Sequence, residues 1–117
     1  MERSRCGGDG NQTRSFLYID ECLEGVRRLM SQDQFMGPVN IGSDEMISIN
    51  GLAEIVMGIA GKKLNIVHIP GPLGVMGRNS DNHLIKEKLG WAPSWPLSKG
   101  MALTYEWINA QVQKRNK

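Results

Sequence analysis

Two arginines are the side chains in this sequence whose positions most favour chemistry with an anion. Arg14 follows the polar triplet Asn11-Gln12-Thr13, and Arg78 lies just before the polar run 79–82, which can start a helix. A guanidinium group donates two parallel hydrogen bonds to a phosphate, and unpaired N–H groups at a helix start add partial positive charge. The spacing therefore predicts that Arg78 binds a phosphate or diphosphate, with an ion pair between Arg78 and Asp81 or another surface acid as the alternative.

Residues for redox or proton-transfer chemistry are not found at the spacings that such chemistry needs. A dinucleotide site requires a strand, a GxGxxG loop and a helix in that order. The sequence "GGDG" at 7–10 follows no predicted strand, and "GPLGVMG" at 71–77 has the wrong glycine spacing. Neither Tyr18 nor Tyr105 has a lysine four residues further on, as a lysine-activated phenol would require. We therefore predict no cofactor site and no catalytic residue in this chain.

The histidines and cysteines do not form a metal-binding pattern. His68 and His83 have no cysteine or carboxylate at ligand spacing, and Cys6 and Cys22 form neither a CxxC nor a Cys/His motif. No metal site is predicted. Two isolated thiols without a disulfide framework are typical of a reducing compartment, so the sequence predicts a cytoplasmic protein.

Length and charge limit the classes of partner. The chain has 117 residues, of which 40% are hydrophobic, and a formal net charge of +2. That length supports one domain with its own core. So small a charge gives little attraction to nucleic acid or to an anionic membrane. No apolar run approaches the roughly 20 residues that cross a bilayer, and the N-terminus lacks the apolar segment of a signal peptide. Neither nucleic acid nor a membrane is predicted as a partner.

The arginines must be positioned by short strands that alternate with helices. Strands are predicted over 14–19, 38–42, 46–49 and 64–69, and helices over 21–32, 51–60, 82–89 and 99–113. Glycines at three of the first ten positions predict a flexible lead-in over 1–13. Apolar residues at helical spacing, Leu23, Val26 and Met30 in the first helix and Met101, Tyr105, Ile108 and Val112 in the last, are expected to face the core. The fold class is therefore α/β, with a few short strands and about four helices.

Four stretches of the chain resemble a known family in order and spacing. They are "GDGNQTRSFLYIDECLEGVRRL", "PVNIGSDEMISINGLAEIV", "HIPGPLGVMGRNSDNHLIKEKLGWAP" and the closing amphipathic helix. Together they are similar to the C-terminal portion of extended short-chain dehydrogenase/reductases that act on nucleotide sugars. The stretches "NIGSDEM" and "GRNSDN" are narrower signals and favour the GDP-mannose 3,5-epimerases, which are isomerases. The resemblance covers roughly residues 8 to 113.

The resemblance implies a substrate-binding role. Residues 14–117 would form a small C-terminal nucleotide-sugar-binding lobe that lacks the Rossmann domain. Gln12, Thr13 and Arg14 would contact the nucleotide diphosphate or the sugar, and Arg78 would bind the diphosphate. In the family an N-terminal Rossmann domain holds NAD and the catalytic tyrosine and lysine, so this chain would not be catalytic alone.

Two departures from the family pattern accompany the resemblance. Met76 replaces a further basic residue, which weakens the expected phosphate site, and "MERSRC" replaces the strand that the family has before "GGDG". The chain is therefore interpreted as a truncated lobe. The alternative is a non-enzymatic module that keeps the lobe fold and associates with itself or with a separate Rossmann-type subunit. The missing domain would leave apolar surface uncovered, and such surface favours association, so we predict a homo-oligomer.

Overall fold

The computed structural model describes residues 3–72 and 74–117, and these form a mixed α/β fold. The strands are β1 Arg3–Gly7, β2 Thr13–Ser15, β3 Met46–Ser48, β4 Asn65–Ile69 and β5 Gly77–Arg78; the helices are α1 Ile19–Met30, α2 Ile49–Ala60, α3 His83–Leu89 and α4 Leu97–Arg115. The predicted fold class is confirmed. Over the described residues, no helix is both long and apolar enough to cross a membrane.

The strands form two small sheets. β1 and β4 pair in parallel, from Arg3 opposite Asn65 to Gly7 opposite Ile69. In the second sheet β2 lies in the middle, antiparallel to β3 and parallel to β5. β2 therefore determines which residues of β3 and β5 lie beside Arg14.

β1 corrects two predictions made for the start of the chain. The sequence predicts no element before residue 14, and it interprets "MERSRC" as the loss of a strand, yet residues 3–7 form one. Local propensity is poor there, and the strand is instead held by pairing with β4, about 60 residues further along the chain. The division into a lead-in and a lobe at residue 14 stays a prediction, and residues 1 and 2 lie outside the described part of the chain.

The helix ends follow local capping signals. Ser48 accepts a hydrogen bond on its hydroxyl oxygen from the Gly51 N–H, which caps the start of α2. Gly61, in the left-handed region with φ of 65°, ends the same helix, one residue beyond the predicted range 51–60. The side chain of Asn50, in the first turn of α2, donates to the Asp9 carbonyl and contacts His68.

Two loop segments differ from prediction. Residues 38–42, predicted as a strand, have no regular structure, and Gly77 and Arg78, which lie outside every predicted helix and strand, form β5. Gly77 allows this pairing because a Cβ there would come 2.9 Å from the Thr13 Oγ1. A short strand therefore forms where the close approach of β2 requires a residue without a side chain.

The apolar stripe of α1 does not face the core, as the sequence predicts it to. Leu23 is 57% exposed and Met30 is 79% exposed, while Glu21 and Gly25 on the other side of the helix are buried. In α4, Met101 and Tyr105 are half-buried, but Ile108 and Val112 are exposed. The described chain is also elongated, with a Cα radius of gyration of 17.1 Å, whereas a compact domain of about 100 residues has about 13 Å.

Candidate functional site

Arg14 and Arg78 lie side by side on adjacent strands. They are register partners in the parallel pairing of β2 with β5. Both side chains line one open hollow of about 300 Å³, together with Ser15, Asn40, Ile41, Asn79 and Ser80. Residues 64 positions apart are thus brought together, and the two guanidinium groups that the sequence singled out share one surface.

Hydrogen bonds through Asn82 join the two loop segments that border the hollow. The Ser80 hydroxyl donates to the Asn82 Oδ1 over 2.8 Å, and the Asn82 Nδ2 donates to the Gly42 carbonyl over 2.9 Å. Gly42 fits beneath Ser80, because a Cβ at Gly42 would come 2.7 Å from the Ser80 Cβ. These contacts position Asn40 and Ile41 beside the arginines.

The two arginines have few competing partners. The Arg14 Nη1 donates to the Thr13 carbonyl over 2.7 Å, which orients the side chain and leaves its other N–H groups available. Arg78 is exposed, and within residues 3–72 and 74–117 it makes no ion pair. Both groups therefore retain the capacity to bind an anion.

The alternative of an ion pair between Arg78 and Asp81 is not found. The Asp81 carboxylate accepts hydrogen bonds from the backbone N–H of His83 over 3.0 Å and from its Nδ1 over 2.6 Å. The backbone bond first, then the side-chain bond and the charge of His83, lower the pKa of Asp81. Asp81 is thus already engaged at the start of α3.

The start of α3 does not border the hollow, so a contribution of this helix start to anion binding stays a prediction that the geometry does not favour. α3 begins at His83, five residues after Arg78, and its first N–H group is taken by the Asp81 carboxylate. The neighbour that adds positive charge to Arg78 is Arg14, which belongs to another strand. The sequence did not predict this neighbour, because the pairing of β2 with β5 joins distant parts of the chain and leaves no local pattern.

Gln12 and Thr13 do not line the hollow. Gln12 is 9% exposed, its Nε2 donates to the Gly7 carbonyl over 3.5 Å, and its Oε1 is buried without a partner in the described part of the chain. The Thr13 Oγ1 lies 3.4 Å from the Met76 carbonyl, on the side of β2 that faces Gly77. Direct contact of these two residues with a ligand stays a prediction that the geometry does not favour.

The hollow can accommodate a multiply charged oxyanion. Each guanidinium presents a planar fork of N–H donors, and two adjacent forks match the two groups of oxygens in a diphosphate. Asn40, Ser15 and Ser80 add uncharged polar groups at the rim. The sequence did not predict Asn40, Ser15 and Ser80 as site residues, because single polar residues in loops form no recognisable motif.

The "GGDG" loop at residues 7–10 does not have the strand–loop–helix order of a dinucleotide site. "GGDG" follows β1, contrary to the sequence-based prediction, but it leads into β2 and not into a helix. The backbone N–H groups of a helix start that bind a pyrophosphate in such sites are therefore absent from this loop. Over the described residues, no group of three His, Cys, Asp or Glu side chains lies together as a metal site would require.

Comparisons with known proteins give the family. No sequence model of a protein family matches the chain. The chain is 61% identical over 113 residues to GDP-mannose 3,5-epimerase of Arabidopsis thaliana and 59% identical to GDP-mannose 3,5-epimerase 1 of Oryza sativa subsp. indica. Each match covers 97% of this chain and 30% of the relative. The chain therefore spans about a third of the length of these relatives.

Solved structures agree with the sequence matches. UDP-glucose 4-epimerase of Thermotoga maritima, solved with UDP-glucose, superposes with a TM-score of 0.85 at 29% identity, over 95% of this chain and 36% of that one. UDP-glucuronic acid 4-epimerase of Bacillus cereus, solved with UDP-glucuronic acid and NAD, gives 0.83 at 27% identity, over 92% and 35%. Both are nucleotide-sugar epimerases.

The chain belongs to the extended short-chain dehydrogenase/reductase family and corresponds to the C-terminal portion of its members. This confirms the resemblance found in the sequence. Within that family, the chain is similar to the GDP-mannose 3,5-epimerases over nearly its whole length.

Proposed function

We propose that this chain forms the nucleotide-sugar-binding part of an NAD-dependent epimerase that acts on GDP-mannose or a similar sugar. Arg14 and Arg78 bind the diphosphate, and the cofactor and catalytic residues belong to the rest of such an enzyme. The observation that carries the proposal is the direct pairing of Arg14 with Arg78 at the rim of one hollow. The ligand of the Thermotoga relative, UDP-glucose, contains a diphosphate and supports the same ligand class here.

Electrostatics give an independent reason for an anion at this position. Like charges at directly opposed positions of a sheet destabilise it. A diphosphate between the two guanidinium groups removes that repulsion and forms charge-assisted hydrogen bonds with both. A pair of this kind is therefore favoured where a ligand is bound and disfavoured where none is.

The proposal is tested by titrating GDP-mannose, GDP and UDP-glucose into the protein and measuring the heat of binding. Arg78→Ala and Arg14→Ala should each weaken binding by about 1.5–3 kcal/mol, the usual contribution of a hydrogen bond to a charged group. Arg115→Ala, in the last turn of α4, is the matched control because it removes the same charge far along the chain from the hollow. Equal affinity of all four proteins would refute the assignment.

A second function is favoured by the exposed apolar side chains of α1 and α4. In this alternative the lobe is a non-enzymatic module that associates with itself or with a separate Rossmann-type subunit. Sedimentation over a range of protein concentrations measures self-association directly. A monomer that binds no nucleotide would favour the separate subunit.

We also propose a cytoplasmic location. The free thiols of Cys6 and Cys22 are in keeping with a reducing compartment.

A further inference from the structure

Asn82 occupies the position just before α3, but its side chain does not cap that helix. α3 begins at His83, and the Asn82 side chain makes no capping hydrogen bond. The backbone N–H of His83 is bound instead by the Asp81 carboxylate over 3.0 Å. Asparagine at this position usually accepts a hydrogen bond from an N–H group of the first turn. The amide of Asn82 is therefore used for another contact.

That contact joins the two loop segments on either side of the hollow. The Asn82 Oδ1 accepts from the Ser80 hydroxyl over 2.8 Å, and its Nδ2 donates to the Gly42 carbonyl over 2.9 Å. Ser80 borders the hollow, as do Asn40 and Ile41 just before Gly42, whereas Asn82 does not. Asn82 therefore lies behind the hollow and holds residues of both its loop segments.

The segment 38–42 has little else to fix its backbone. It has no regular structure. Within residues 3–72 and 74–117, the bond from Asn82 is the one hydrogen bond that these five residues make. Ile41 packs against Gly25 of α1, where an added Cβ would lie 2.9 Å from the Ile41 Cγ2. That contact holds the Ile41 side chain, so the backbone at Gly42 depends on Asn82.

We propose that Asn82 is a positioning residue of the anion site, and that its amide fixes the separation of segments 38–42 and 78–80 before a ligand binds. This inference rests on the proposed function and adds to it a residue that does not touch the ligand. A wall that is already ordered loses less conformational entropy on binding, which raises affinity. A neutral amide also bridges the segments without placing a carboxylate near Arg14 and Arg78, where it would compete with the ligand.

The packing at Gly42 gives an independent reason to regard this separation as fixed. A Cβ at Gly42 would come 2.7 Å from the Ser80 Cβ and 2.9 Å from its Oγ. Both distances are shorter than side-chain contacts allow, so an alanine at position 42 would push the two segments apart. The amide of Asn82 thus draws together two segments that already touch at Gly42.

The test measures the affinity of the protein for GDP-mannose and for pyrophosphate by calorimetry. Asn82→Ala should weaken binding about three- to tenfold, the effect of having to order one or two further groups on binding. Asn109→Ala, at an exposed position of α4, is the matched control and should leave the affinity unchanged. A lower melting temperature of Asn82→Ala with unchanged affinity would make Asn82 a residue of stability alone and overturn the proposal.

Arg78→Ala, measured in parallel, separates this inference from the proposed function. Binding that is weakened by Arg78→Ala and not by Asn82→Ala refutes the positioning role alone. If the unsubstituted protein binds neither compound, both proposals are wrong. Asn82→Asp keeps the acceptor for Ser80, loses the donor to Gly42 and adds a negative charge, so it should also bind more weakly. Unchanged affinity of Asn82→Asp would contradict the role given to the amide.

NMR relaxation of the backbone provides a signature that lost stability alone would not produce. In unliganded Asn82→Ala the order parameters of residues 40–42 should fall below those of the unsubstituted protein, and saturating pyrophosphate should restore them. Order parameters of the α2 backbone should be the same in both proteins. Equal order at residues 40–42 without ligand would show that Asn82 does not hold this segment.

Gly42→Ala disturbs the same separation without removing a hydrogen-bonding group. It should weaken binding too, while Gly58→Ala, with nothing within 4 Å of its added Cβ, should not. Because Gly42→Ala and Asn82→Ala act on one contact, the double variant should lose less affinity than the product of the two separate losses. A double variant whose loss equals that product, or unchanged affinity of Gly42→Ala, would overturn the proposal even if Asn82→Ala does not fold.

Discussion

Arg14 and Arg78 occupy directly opposed positions in the parallel pairing of β2 with β5, and both border the same hollow. Neither guanidinium is neutralised by a carboxylate within the described residues. Like charges at neighbouring positions of a strand pair are expected to lower stability, a cost that is common at functional sites. Under the proposed function, substitution of either arginine should therefore change stability and ligand affinity in opposite directions.

Arg78→Ala is expected to stabilise the unliganded protein slightly while strongly reducing its stabilisation by pyrophosphate. Relief of like-charge repulsion across a strand pair contributes about 0.2–1 kcal/mol. Saturating ligand, at about 100 times its Kd, should stabilise the unsubstituted protein by about 2.7 kcal/mol. Thermal unfolding with and without pyrophosphate measures both effects. Arg78→Lys, which keeps the charge but not the fork, should retain only part of the pyrophosphate effect.

Gly25→Ala is expected to destabilise the protein by about 1–2 kcal/mol. The added methyl group would lie 2.9 Å from the Ile41 Cγ2 and 3.0 Å from the Trp91 Cζ3, and overpacking of this kind outweighs the helix propensity of alanine. Gly58→Ala is the matched control in α2, since nothing lies within 4 Å of its added Cβ. It should stabilise the protein by about 0.5–1 kcal/mol. Denaturant unfolding measures both changes, and equal shifts would show that α1 does not pack closely on Ile41.

Glu21→Ala is expected to cost about 2–3 kcal/mol, because it leaves the Ser94 and Trp95 N–H groups without their charged acceptor. Asp20→Ala, one residue earlier and exposed, removes a similar charge from the same helical turn and should cost only about 0.5 kcal/mol. Hydrogen exchange at Ser94 and Trp95 should quicken in the first variant and not in the second.

The Glu24 carboxyl should titrate far below its usual range. Hydrogen bonds from Arg27 and then Arg28 lower its pKa from 4.5 to about 2. Because the folded-state pKa is depressed, this contribution to stability is complete above the unfolded-state pKa and is lost as the pH falls from there towards 2. Carboxyl NMR should place the midpoint near 2, and Arg27→Gln should raise it. Arg115→Gln should leave it unchanged, and a midpoint near 4.5 in the unsubstituted protein would contradict the ion pair.

The helices and the family were determined by the sequence itself. Predicted helices over 21–32, 51–60, 82–89 and 99–113 fall within about two residues of α1 to α4 at each end. Apolar periodicity and terminal glycines such as Gly61 and Gly90 act over a few neighbouring residues, so a single sequence contains them. The motifs that indicate the extended short-chain dehydrogenase/reductases are equally local.

Only the tertiary structure determined which residues meet at the candidate site and which side of α1 is exposed. β1 forms against β4, and Arg14 meets Arg78, through pairings that join distant parts of the chain. The side of α1 that is buried depends on Glu21 and Gly25 and on the partners they find at residues 41 and 91–95. Such contacts depend on how separate elements pack, and the spacing of residues within one element does not encode them.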